Sequence, residues 1–96
     1  MSGQPLPTLK CVIAWSDRRH LCEIAGDLLR SLVPGGEVRT LGDDAHIVHT
    51  ALSANELRDR LRDHLGADDG LIVIKFEVWS GYGRGLDAKW LLARGH

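Results

Sequence analysis

Residues 52–78, LSANELRDRLRDHLGADDGLIVIKFEV, constrain the fold more than any other stretch of the chain. Ser53 followed by Glu56 has capping-box spacing. The serine hydroxyl accepts from the backbone N–H three residues on, and the glutamate carboxylate accepts from the serine N–H. Leu52 and Leu57 flank that turn as a hydrophobic staple. Leu57, Leu61 and Leu65 then recur at helical spacing, which turns Arg58, Asp59, Arg60, Arg62 and Asp63 outward. Gly66 suits the left-handed residue that ends such a helix, and Ala67-Asp68-Asp69-Gly70 makes the turn. Beyond it, Ile72, Ile74, Phe76 and Val78 share one strand face, while Leu71, Val73, Lys75 and Glu77 share the other. A capped amphipathic helix feeding a strand specifies architecture well and chemistry poorly.

The rest of the chain repeats that logic. Residues 1–8 carry Pro5 and Pro7 and read as a loose lead-in. Residues 9–15, LKCVIAW, form a short apolar run of strand formers. Ser16 or Asp17 can cap a helix over residues 18–33, whose apolar stripe is Leu21, Ile24, Ala25, Leu28, Leu29 and Leu32. Pro34-Gly35-Gly36 stops it. Residues 37–41 and 45–52 predict two strands joined across Gly42-Asp43-Asp44. After a glycine-rich loop, Leu86, Trp90, Leu91 and Leu92 predict a short closing helix capped around Asp87. The order strand, helix, strand, strand, helix, strand gives an α+β chain of one domain over residues 1–96. The expected arrangement is a ferredoxin-like βαββαβ sandwich, with both helices on one face of an antiparallel sheet. The other face then needs cover for apolar residues such as Val12 or Leu71. A second copy of the chain supplies it, so a homodimer is expected, with the C-terminal tail as the other source of cover.

Composition narrows the function classes. With 96 residues and 44% hydrophobic content, the chain can build one core without metals or disulfides. Cys11 and Cys22 lack CxxC spacing and read as small buried hydrophobes of a reduced cytoplasm. The opening Met1-Ser2-Gly3-Gln4-Pro5 lacks the basic start of a secretory signal, and no apolar run approaches a membrane span. A formal net charge of −1 is low for a dedicated nucleic-acid binder, so such binding needs a local patch. Arg18 and Arg19 supply one. In the loop, Tyr82 can stack a base and Arg84 can meet a phosphate. The Gly81-Gly83-Gly85 spacing lacks the lysine and hydroxyl of a triphosphate loop, so flexibility, with Trp79 and Tyr82 folded back on the core, is the simpler expectation. His46 and His49 near Asp43 and Asp44 are the densest group of metal-ligand types. Histidines three apart on a strand point to opposite faces, however, and a solvated turn with one exposed and one partly buried histidine is the simpler reading.

Residues 49–92 carry a resemblance. A strand ends before LSANELRDRLRDHL, then come ADDGLIVI, a Trp/Gly loop and a terminal Trp-Leu helix. This pattern looks like the C-terminal half of small prokaryotic proteins related to the second CRISPR-associated adaptation protein, the Cas-two-like group. The resemblance implies a ferredoxin-like homodimer acting in antiviral defence or on nucleic acid, and in some members a nuclease dependent on magnesium or manganese. It also implies a catalytic, metal-binding Asp at the end of the first strand. Here that strand ends VIAWSD, which places Ser16 at the matching position and Asp17 one residue later. Asp17 is therefore the candidate catalytic and metal residue, and strand alternation turns it to the opposite face unless a bulge intervenes. The expected mode of action is dimer-based docking on nucleic acid or on a partner enzyme, and the competing expectation is a non-enzymatic module that recruits an effector protein.

Overall fold

A computed structural model describes residues 6–17, 20–42 and 45–95. In chain order the elements are β1 (Thr8–Ser16), α1 (Leu21–Leu32), a 3-10 turn (Gly35–Glu37), β2 (Val38–Leu41), β3 (Ala45–Thr50), α2 (Ala54–Arg62), β4 (Asp69–Phe76) and α3 (Ala88–Gly95). The strands form one sheet in the order β2-β3-β1-β4, and every neighbouring pair is antiparallel. Because β3 opposes both β1 and β2, those two run in the same direction with β3 between them. The chain is thus α+β, a four-stranded antiparallel sheet with three helices. Among the described residues no helix is long and apolar enough to cross a membrane.

Strand alternation sorts the sheet into two unlike faces. Val12 of β1, Val38 of β2 and Val48 of β3 point to the same side, where they join Leu29 of α1 and Leu57 and Leu61 of α2 in one buried cluster. Val12, Leu29, Val48 and Leu57 are sealed from solvent entirely, each worth roughly 1.5–3 kcal/mol of burial. Both long helices therefore lie on one face. On the opposite side, Leu9 and Ile47 are covered by Trp90 and Leu91 of α3, with Leu41, Phe76, Trp79 and Leu86 packed around them.

Several boundaries and placements differ from the sequence reading, each for a local reason. Val12 and Leu71 sit on the helix side of the sheet, Val12 in the buried core and Leu71 partly buried against it, so neither is an apolar residue left for the other face. β1 continues to Ser16, which pairs with Asp69, so Ser16 is spent on the strand. Neither it nor Asp17 caps α1, which starts at Leu21 behind His20, a residue that makes no side-chain cap bond. Gly66 is not left-handed, since the positive-φ glycines are Gly42, Gly83 and Gly85. α2 stops at Arg62, which leaves Leu65 outside the helix, and the Gly66 N–H donates to Asp69 Oδ2 at 2.7 Å. β4 begins at Asp69 and ends at Phe76, which leaves Val78 90% exposed instead of on a strand face. The capping box forms as expected: Glu56 N–H donates to Ser53 Oγ and Ser53 N–H to Glu56 Oε1, each at 3.0 Å.

Candidate functional site

Three groupings stand out once the sheet is assembled. The first lies under the start of α1. Here the His46 ring of β3 is buried, with Nε2 2.7 Å from the Cys22 carbonyl oxygen and Nδ1 2.9 Å from Thr40 Oγ1. Burial is the main force pushing the imidazole pKa down, and the Arg30 charge adds to it against the opposing pull of the Cys22 hydrogen bond and Asp27. The ring is therefore neutral near pH 7. A carbonyl can only accept, so Nε2 carries the hydrogen and Nδ1 accepts a hydrogen bond from the Thr40 hydroxyl. Arg30 Nη2 in turn donates to Thr40 Oγ1 at 3.3 Å. Cys22 Sγ lies 3.4 Å from Nε2, but that nitrogen already holds its hydrogen and has no lone pair to deprotonate a thiol. The arrangement brings a cysteine and a histidine together without making a nucleophile–base pair. It ties α1, β2 and β3 to one another beside an open cleft of ≈ 650 Å³ lined by His20, Glu23, Asp27 and Arg30.

The second grouping anchors α3. Glu37 receives the Arg94 guanidinium at 2.8 Å and lies 2.6 Å from His49 Nδ1. Its carboxyl is held at about 2, first by the Arg94 hydrogen bond and, against the cost of burial, by His49. The Trp90 indole N–H donates to the Gly36 carbonyl at 2.7 Å. Arg94 and Arg39 both lie over the Trp90 ring, 4.4 and 5.2 Å from its centroid. Asp87 caps α3 through the Trp90 N–H at 3.1 Å and accepts from Arg39 at 3.3 Å. The chemistry of this group is used on holding a helix against the sheet.

The third is a surface. α3 covers only part of its face, because Leu9, Ile47 and Phe76 lie toward one end of the strands. Trp15, Ile72 and Ile74, on the same side of the sheet, stay 53%, 45% and 45% exposed. Cys11 and Ile13 lie between them in partial exposure. The Trp15 ring lies across Gly70, where an added Cβ would fall 2.2 Å from the indole. β4, which carries Ile72 and Ile74, pairs with β1 on one side and meets no described strand on the other.

The sequence-nominated residues do not converge. Asp17 is exposed just past the end of β1, where its N–H faces the Asp68 carbonyl at 3.4 Å. Arg18 and Arg19 lie outside the described residues, as do Asp43 and Asp44. Tyr82 is fully exposed and not folded back on the core, and Arg84 is exposed beside it, whereas Trp79 does pack against the α3 cluster. The two histidines are separated by the strand, as alternation requires; both lie in β3, and His49 is partly buried as expected, whereas His46 is buried where an exposed ring was expected. Among the described residues no three of His, Cys, Asp and Glu come together as a metal-binding group. Lys10, a charge that sequence reading passed over, is buried with its ammonium on the Thr50 carbonyl at 2.8 Å, and burial, then Lys75, lowers its pKa. Its place in an alternating strand gave no sign of this. The exposure of Trp15 was equally hidden, because an apolar run does not say how much of a face a tail will cover.

Compared with known proteins, the chain matches no family, no curated protein and no solved structure.

Proposed function

We propose that this chain is a ferredoxin-like, Cas-two-like protein of the prokaryotic cytoplasm that works as a homodimeric protein-interaction module in a defence context. The β2-β3-β1-β4 antiparallel order with α1 and α2 on one face supports the ferredoxin-like reading. The observation that carries the functional reading is the half-uncovered sheet face. Trp15, Ile72 and Ile74 form an exposed apolar cluster next to an open strand edge, the combination that a partner surface covers. A second copy of the chain takes the open strand edge, beside which the apolar cluster of the face stays available to a partner protein. Size-exclusion chromatography with light scattering across a concentration series tests it. A dimer that dissociates on Trp15→Ala supports the reading, and a monomer at every concentration sinks it.

A second reading, docking on nucleic acid, draws support from the loop after β4, where Tyr82 and Arg84 stand in solvent between Gly81, Gly83 and Gly85. Arg18 and Arg19, outside the described residues, belong to this reading on their sequence alone. Binding through such a patch weakens steeply with salt because counterion release drives it, while a salt-insensitive complex with a protein favours the module. Weak hydrolysis with magnesium or manganese through paired Asp17 residues belongs to this second reading. Equal cleavage of RNA and DNA by wild type and Asp17→Ala removes Asp17 from it.

A further inference from the structure

The geometry points to the partner surface being β4 itself, paired antiparallel with β4 of a second copy about a two-fold axis at Ile72. This rests on the homodimer reading and specifies its contact.

The two edges of the sheet differ. β2 has four residues, Val38–Leu41, and its Arg39 is tied to Asp87 at the foot of α3. β4 has eight, Asp69–Phe76, and is open along its outer side among the described residues. Every second residue of such an edge directs its N–H and C=O outward, where another strand can use them. An antiparallel pair of identical strands is compatible with two-fold symmetry, and its side-chain pairs then occur twice.

Which register is chosen follows from the strand's own pattern. About Ile72, Asp69 faces Lys75 of the partner subunit, Gly70 faces the partner's Ile74, Leu71 faces the partner's Val73, and Ile72 meets its own copy. Opposite charges directly across a strand pair are favourable, and apolar pairs on one face likewise. Asp69, Leu71, Val73 and Lys75 all project to the helix side and Gly70, Ile72 and Ile74 to the open side, so each pair shares a face. Gly70 has no side chain of its own, and the Trp15 ring fills the space above it. The partner's Ile74 therefore packs on that indole, and the exposed residues of two copies join in one continuous apolar strip. A register centred on Lys75 would set two ammonium groups against each other. Within one copy the Asp69 carboxylate accepts the Gly66 N–H through Oδ2 and Lys75 lies 3.9 Å from Glu77, so the pair between copies adds to contacts these side chains already make.

Cysteine cross-linking reads the axis directly. Because Cys11 is the cross-strand neighbour of Ile74, Ile72→Cys and Ile74→Cys are prepared in the full chain carrying Cys11→Ser and oxidised alongside that Cys11→Ser protein, whose Cys22 serves as the background. The expected result is a covalent dimer from Ile72→Cys in several-fold excess over Ile74→Cys. A second measurement uses charge. Lys75→Glu sets a carboxylate against Asp69 of the partner subunit twice and is expected to weaken the dimer at least tenfold. Adding Asp69→Asn, which keeps an oxygen for the Gly66 N–H, restores most of the loss. A dimer by light scattering that cross-links best through residue 74, or that ignores the charge at 75, overturns this register and leaves the homodimer standing. A monomer at every concentration overturns both.

Discussion

The imidazole of His46 lies so close to Gly26 that a Cβ on the glycine would fall 2.8 Å from Cε1. Glycine in a helix interior costs up to about 1 kcal/mol relative to alanine, and α1 carries that cost so that a ring on β3 can reach the Cys22 carbonyl. Gly26→Ala, stabilising in an ordinary helix, should here destabilise by about 1–3 kcal/mol through overpacking. In a His46→Ala background the same change should stabilise. Urea denaturation of the four proteins reads the cycle, and additivity would mean that the ring and the glycine do not interact.

Acid should act through His46 first. Its pKa in the folded protein lies below the ordinary value of 6.5, so between the two the unfolded chain binds a proton that the native chain does not. Stability then rises with pH across that interval and falls as pH drops below the unfolded value. Thermal unfolding at pH 7.5, 6.5 and 5.5 should show a falling Tm. His46→Gln should flatten that slope.

At lower pH the α3 anchor gives way. The Glu37 carboxyl, held at about 2, contributes stability that is fully present above the ordinary carboxylate range and is lost as pH falls toward 2. Docking of α3 should therefore survive at pH 4, and Glu37→Gln should loosen it at neutral pH. Protease cleavage within residues 77–87, followed by mass spectrometry, distinguishes the docked from the released helix. Trp90→Ala removes the buried anchor itself and should cost about 3–5 kcal/mol.

Gly70 makes a further case for reading glycine through its neighbour. An alanine there would drive its Cβ into the Trp15 ring at 2.2 Å, so the indole must swing away. Gly70→Ala should shift Trp15 emission and, in the proposed homodimer, weaken self-association. A variant that dimerises as tightly as wild type would show that the indole takes no part in the contact.

Much of this architecture was legible because periodic signals are local. Ser53 and Glu56 announced the start of α2, and Leu57 and Leu61 announced its buried side. Alternation in β3 placed His46 and His49 on opposite faces correctly. What the sequence withheld were choices made by partners distant in the chain. Pairing of Ser16 with Asp69 extended β1 and removed the expected helix cap. Alternation divided Leu71 from Ile72 without saying which side the helices would take, and Val12 fell on that side too. Gly26 and His46, twenty positions apart, looked unrelated until the fold put them in contact. The site was less legible than the fold, since surface exposure at Trp15 depends on how far α3 reaches.

The shortness of β2 also bears on how large an assembly can become. If two β4 strands join about an axis as proposed, each uses up the one long open margin its sheet shows among the described residues. What remains outward on either flank is a four-residue strand whose Arg39 is held to Asp87, a poor template for another chain. In the proposed homodimer, growth would therefore halt at the pair, and a strand rich in isoleucine and valine would give a closed particle in place of a fibre.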